Sequence, residues 1–316
     1  MFIQTTAAVF NAIFHLLMIS LFAGILIRKN LVSASQVKAL SAVTVNIFLP
    51  CLITAKTLMT FRPGELENWW IMPLAGGIIV VIGLVFSSLL FRMNPEKRPM
   101  MTLASMQNGI YIVLPIGQAV FPDQFDRFAL YCFLLLLGLN PIMWSLGKVM
   151  LSGKLEAGIH WRDFLTPPLA AVFISVAAVY TKISLIIPGQ VIASMDLLGQ
   201  ATVPVAVFVM GATIGSISLK KWPPAGDILI VTTVKFILVP GTVFAILYFG
   251  GFSHSMPLFC AMAMVQASSP PATNLVLIVR NYGGDTQSVS TMMLVQYLAC
   301  IFFMPVWIAA WQFVVV

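Results

Sequence analysis

The sequence is short of charge. Asp, Glu, Lys and Arg make up 9% of its 316 residues, against 60% hydrophobic residues, whereas a soluble domain carries about 25% charged residues. That shortage excludes a water-soluble fold. The net charge of +7 is accounted for by loops that set topology, so no nucleic-acid partner is expected. Acidic residues are scarcest, ten in all, and none lies deep in an apolar run; Asp196, near the start of the seventh run, comes closest. Hard cations are held by carboxylate oxygens, and sodium or proton antiporters are expected to keep a carboxylate inside the membrane. Ion exchange is therefore not expected as the main activity. Cys51, Cys132, Cys260 and Cys300 have no metal or redox spacing and read as small buried hydrophobes. His15, His160 and His254 are scattered and form no ligand set. There is no GxxxxGK[ST] loop and no nucleophile–base pair at motif spacing, so neither ATP hydrolysis nor an enzyme is expected, and no cofactor is called for. A cleavable signal peptide is not expected either: residues 1–6 lack a basic segment, and Arg28-Lys29 follows the first apolar run where a small-residue cleavage site would stand.

What the sequence has is apolar runs. A membrane-crossing helix takes about 20 such residues. Ten runs qualify: 7–27, 37–59, 69–91, 100–121, 126–148, 164–183, 190–216, 226–249, 257–279 and 287–313. The fold class is thus an all-α polytopic membrane protein. Connections are short, the longest polar one running from Leu151 to Asp163. With the N-terminus outside, the inner side holds Arg28, Lys29, Lys38, Arg92, Lys97, Arg98, Lys148, Lys154, Arg162, Lys220, Lys221 and Arg280, and the outer side only Arg62, Arg127 and Lys182. Basic residues favour the cytoplasmic side, so both termini are expected outside, in a bacterial-type inner membrane. Trp69-Trp70 and Trp161 read as interface anchors.

The two halves echo one another. Asn46 to Pro50 in the second run resembles Gln200 to Pro204 in the seventh, and Asn140-Pro141 in the fifth resembles Met304-Pro305 in the tenth. Five runs per half is odd, so the second copy enters from the opposite side. The expectation is two inverted five-helix repeats, 1–155 and 156–316; no short solenoid period is present.

Runs four and nine are interrupted. Gln107-Asn108-Gly109, followed by Pro115, stands where leucines belong, and so does Ser268-Ser269-Pro270-Pro271, followed by Asn274. Two adjacent prolines remove two donors and clash with the preceding turn, which ends a helix. Irregular backbone at membrane depth survives only beside protein or a wet cavity, and paired broken helices in matching places of two halves point to a substrate site. A broken helix exposes N–H groups at its new start, which favour anions. Gln107, Asn108, Gly109, Ser268, Ser269 and Asn274 are the binding candidates, with Asn46 and Gln200 as further lining. The amides and hydroxyls either contact the guest or tie off freed backbone. Lys235 sits about nine residues into the eighth run, roughly 14 Å deep; it is either counter-charge for an anion or the partner of a backbone carbonyl. Lys56, near the outer end of the second run, reaches the interface or touches substrate.

Taken in order, these motifs resemble the auxin efflux carrier family, which includes plant PIN carriers and bacterial permeases for malonate, malate and related acids. Gln107 to Pro115 is similar to the family's first crossover, and Ser269-Pro270-Pro271 with Arg280-Asn281-Tyr282 to its second. Lys235-Phe236 with Pro240 is similar to its basic-Phe-x-x-x-Pro, and Asn46 to Leu52 to its Leu-Pro motif. Gln107 replaces the usual proline and Pro271 an amide, so the resemblance speaks to family rather than substrate. It implies a scaffold of helices 1, 2, 6 and 7, a moving unit of helices 3–5 and 8–10, elevator-like motion and a homodimer through the scaffold; the exposed N–H groups and uncharged donors of the breaks suit a small organic anion or zwitterion as substrate better than a bare metal cation. A sodium-coupled symporter of the bile-acid type and a non-transporting membrane receptor are the competing expectations.

Overall fold

A computed structural model describes residues 2–64, 68–152, 166–217, 222–282 and 284–315. Lys154, His160, Trp161, Arg162, Lys220, Lys221 and the boundary near 155 lie outside the described residues, as do the side chains of Arg280, Asn281 and Tyr282.

The described chain is helical, without a β-strand. In order it forms α1 (Phe2–Arg28), α2 (Ala34–Thr60), α3 (Ile71–Leu90), α4 (Arg98–Ser105) and α5 (Val113–Val120). Then come α6 (Pro122–Ser152), α7 (Pro167–Tyr180), α8 (Gly189–Gly215) and α9 (Ala225–Phe249). The chain closes with α10 (Pro257–Ala267), α11 (Asn274–Tyr282) and α12 (Thr286–Val315). Seven of these, α1, α2, α3, α6, α8, α9 and α12, are long and apolar enough to cross a membrane. The fourth and ninth runs are the interrupted pairs α4–α5 and α10–α11.

Burial separates lipid-facing helices from central ones. On α3, Leu74, Ile78, Val81, Val85 and Leu89 are exposed; that spacing puts them on one stripe of a helix. On α6, every residue from Phe128 to Leu136 is buried, and so is every residue from Phe259 to Ala267 on α10. A helix covered on all sides is a central one, so the broken helices lie inside the bundle.

Small residues set the closest approaches. Gly211 and Gly215 of α8 face Ser20 and Gly24 of α1, and a Cβ on either α8 glycine would overlap the α1 backbone. Each pair is four residues apart, the spacing by which membrane helices bring backbones together. Gly138 of α6 and Gly76 of α3 do the same between those helices, against Pro73 and Leu135.

Prolines widen two helices rather than ending them, and a third wide turn follows a proline. π-helical turns run over Thr44–Phe48 before Pro50, Val234–Leu238 before Pro240 and Met143–Gly147 after Pro141. A proline clashes with the carbonyl four residues back, and a wider turn relieves the clash. In α9 the displaced carbonyl is that of Phe236, and Trp307 Nε1 of α12 donates to it over 2.7 Å.

Two ion-paired regions mark the ends of the bundle. At one end Arg28 Nε donates to Gly215 O over 3.0 Å, and Lys97 pairs with Asp227 at 2.7 Å. At the other, Lys56 Nζ stands 2.9 Å from Asp126 and 2.8 Å from Asp196. These are called the Arg28 end and the Lys56 end below.

Candidate functional site: the crossing of two broken helices

α4 enters from the Arg28 end and stops at Ser105; α10 enters from the Lys56 end and stops at Ala267. Their extended continuations pass antiparallel, with a bridge between Gln107 and Pro271. Asn108 N–H donates to Pro270 O over 2.7 Å, and Ala272 N–H to Met106 O over 3.2 Å. The chemistry is complementary: Pro270 and Pro271 have carbonyls but no N–H, and the first break supplies a donor. Pro115 does not break its helix. It lies in the first turn of α5, where its missing N–H leaves no bond unmade, and the interruption is Met106–Ile112.

Asn108 is committed to the chain on every side and is 1% exposed. Its Nδ2 donates to Tyr297 Oη over 2.8 Å, and that hydroxyl donates to Pro271 O over 3.0 Å. Its Oδ1 accepts from Ile110 N–H at 3.3 Å. Its backbone carbonyl accepts from Gln266 Nε2 and Ser269 Oγ, each at 3.1 Å. The tie-off role is thus the one Asn108 fills in this conformation. Ser268 turns back onto Met264 O at 2.8 Å, so neither serine points into open space.

Lys235 is fully buried. Its Nζ donates to Met106 O over 3.3 Å and, over a shorter separation, to Gln107 Oε1. Met106 caps the C-terminal end of α4, where the helix dipole favours a cation. Lys235 thus meets both a backbone carbonyl and a side-chain amide of the first interruption. Lys56 is buried and paired with two carboxylates.

Beside the crossing lies a cavity of about 80 Å³. Val45 and Leu49 of α2 form one wall, and Leu136, Leu139, Asn140, Met143 and Trp144 of α6 another. Thr166 and Pro168 close it at the start of α7, toward the Arg28 end. Its floor is Gln107 to Tyr111 and Ala272 to Asn274, the residues that lead into α5 and α11. The first N–H groups of a helix have no intrahelical partner, so the cavity abuts two positive helix ends. No Asp or Glu lines it, and no cluster of metal-ligating side chains occurs among the described residues. A Cβ at Gly109 would stand 2.5 Å from Leu136 Cδ2, so the end of that leucine would have to turn aside.

The structure brings Gln107, Asn108, Gly109 and Asn274 to this cavity. It leaves out Lys235, Ser268, Ser269, Asn46 and Gln200. Asn46 is exposed while its neighbour Val45 lines the wall; adjacent helical residues point about 100° apart. Gln200 is exposed and donates to Asp196 Oδ2 over 3.0 Å. Sequence reasoning missed Asn140, which it used only as a repeat marker, and Tyr297 and Gln266. Asn140 lines the cavity and makes no side-chain hydrogen bond among the described residues. Its signal was present: an amide in the middle of an apolar run. Gln107 Nε2 and Gln266 Oε1 are likewise buried without a hydrogen-bond partner among the described residues.

The profile of the family described as "Membrane transport protein" matches residues 8–158 and 153–308. The chain belongs to the auxin efflux carrier family. It is therefore a multi-pass membrane transport protein. Among curated proteins it is similar to a "Putative malonate transporter" of Rhizobium meliloti (strain 1021), 31% identical over 141 residues, which is 45% of this chain and 42% of that relative. The match thus spans less than half of either protein.

Proposed function

We propose that this auxin efflux carrier moves a small organic anion, a mono- or dicarboxylate, through the cavity at the crossing. The observation that carries the reading is that the cavity lies against the starts of α5 and α11 and has amides but no carboxylates in its wall. Two helix starts favour negative charge. Asn140, Asn274, Tyr111 and the free Gln107 Nε2 supply donors to a guest; Asn108 and Tyr297 hold the frame. The Lys235 amine sits behind the crossing and holds Met106 O and Gln107 Oε1. The name of the Rhizobium relative agrees with a dicarboxylate.

On this reading the halves are inverted repeats, and both termini face outward, as the basic residues predict. The scaffold is α1, α2, α7 and α8; the moving unit is α3–α6 with α9–α12. The cavity lies between them, toward the cytoplasm, while Lys56 of the scaffold holds Asp126 of the moving unit at the outer end. Transport is then an elevator-like displacement in the inner membrane that breaks this contact. The exposed apolar residues Phe173, Ile174, Leu185, Ile186 and Leu197 on and between α7 and α8 supply a homodimer face.

The test is flux of labelled mono- and dicarboxylates into liposomes holding the purified protein, with a thermal-shift screen of the same acids. The reading predicts uptake of at least one acid and its loss in Asn140→Leu. An absence of carboxylate binding and flux across the panel overturns it. Uptake that disappears when choline replaces sodium assigns the chain to the bile-acid-type coupling instead.

A further inference from the structure

A second, larger cavity of about 350 Å³ lies between α1, α8 and α12. Its wall is almost wholly apolar, and it reaches from Arg28 to Ile13 along α1. Those residues are fifteen apart, about 22 Å of helix. A bilayer's hydrocarbon core is about 30 Å thick, so the groove covers the depth of one leaflet from head-group level to just past the midplane. Leu21, Ile25 and Leu298 on its rim are exposed, which opens it sideways to lipid. At its mouth Arg28 is held in place by the bond from Nε to Gly215 O. No carboxylate pairs with Arg28 among the described residues, and Lys29 is exposed beside it. At the deep end stand Ile112, which opens α5, and Tyr297, which fastens Asn108 to Pro271.

We propose that this groove is a binding site for one anionic phospholipid of the Arg28-end leaflet. The acyl chain fills the apolar channel, and the phosphate sits on the terminal nitrogens of Arg28 with help from Lys29. Charge selects the head group and length selects a chain. The tail ends against Tyr297, so the lipid packs on the residue that fastens the crossing and on the surface between α1 and α12. The site is separate from the 80 Å³ cavity and does not depend on which solute that cavity takes.

The test is native mass spectrometry of the full chain in neutral detergent with phosphatidylglycerol or phosphatidylcholine of identical acyl chains. The wild type is expected to retain one phosphatidylglycerol about fivefold better than phosphatidylcholine, since a basic residue near an anionic surface contributes about 1 kcal/mol. Arg28→Gln keeps a hydrogen-bonding group for Gly215 and removes the charge; it is expected to retain the two lipids equally while melting close to wild type. Ser20→Phe narrows the channel and is expected to lose both. Wild-type discrimination surviving in Arg28→Gln, or equal retention of both lipids by the wild type, overturns the proposal. Should Ser20→Phe fail to fold, Leu298→Trp at the rim serves the same purpose.

Discussion

Tyr297 Oη lies 2.8 Å from Asn108 Nδ2, although the two residues are 189 positions apart. Through this contact, and the bond from the same hydroxyl to Pro271 O, one phenol of α12 ties together the interruptions of both broken helices. Tyr297→Phe keeps the ring and removes both bonds. Leaving a buried polar group unpaired costs about 1–3 kcal/mol, so the variant is expected to melt lower and to lose most flux. Thermal unfolding of the purified protein together with liposome uptake checks this; wild-type values in both assays would show that the hydroxyl is dispensable.

Asn140 is the opposite case. It faces the cavity with no side-chain hydrogen bond among the described residues, so removing its amide orphans none of them. Asn140→Ala is expected to leave the melting temperature near that of wild type and to weaken solute binding about tenfold or more, as for a lost hydrogen bond to a charged guest. Titration calorimetry with the best acid from the panel measures this directly.

Lys235→Met has nearly the same shape without the amine. It strands the deeply buried Gln107 Oε1, while Met106 O keeps its bond from Ala272 N–H. A loss of about 1–3 kcal/mol and abolished uptake are expected. Retained uptake at wild-type rate would dismiss any part for this lysine in transport.

The two carboxylates on Lys56 are not equivalent. The Asp196 side chain is 17% exposed and Asp126 47%. Solvent weakens the more exposed pair to about 1 kcal/mol or less, so a double-mutant cycle for Lys56 with Asp196 should give the larger coupling. The Asp126 coupling should also fade more with added salt. If the elevator reading holds, Asp126→Asn shifts the resting population away from the conformation described, which cysteine accessibility at the cavity would register.

Gly211→Leu and Gly215→Leu place a side chain where α1 backbone already stands. Neither is expected to yield monodisperse protein, whereas Gly226→Leu, with open space around its Cβ position, is. Size-exclusion profiles of the three variants decide this.

Much of this architecture is legible in the residues. Seven of the ten apolar runs hold a helix long and apolar enough to cross a membrane, and the interruptions fall at Gln107–Asn108 and Pro270–Pro271, where the sequence departs from apolar helix formers. Rotation about helix axes is harder to read. Asn46 and Val45 differ by one position, yet only Val45 reaches the cavity. Asn46 lies inside the π-helical turn Thr44–Phe48, where the regular 3.6-residue period no longer assigns a face. Contacts between distant segments are hidden for the same reason. Nothing local to Tyr297 announces that it meets Asn108, and nothing local to Lys56 announces two carboxylates. Lys235 is legible as an anomaly, but which partner it takes depends on where α4 ends in space.

The bonds between Asn108 and Pro270 and between Ala272 and Met106 act like two stitches through one seam. Neither half-helix can swing aside alone without tearing both, so the pair cannot work as a door. On the proposed reading a guest in the cavity is bounded on one side by Val45 and Leu49 of α2, so that its way out would be set by this neighbouring wall and not by the seam.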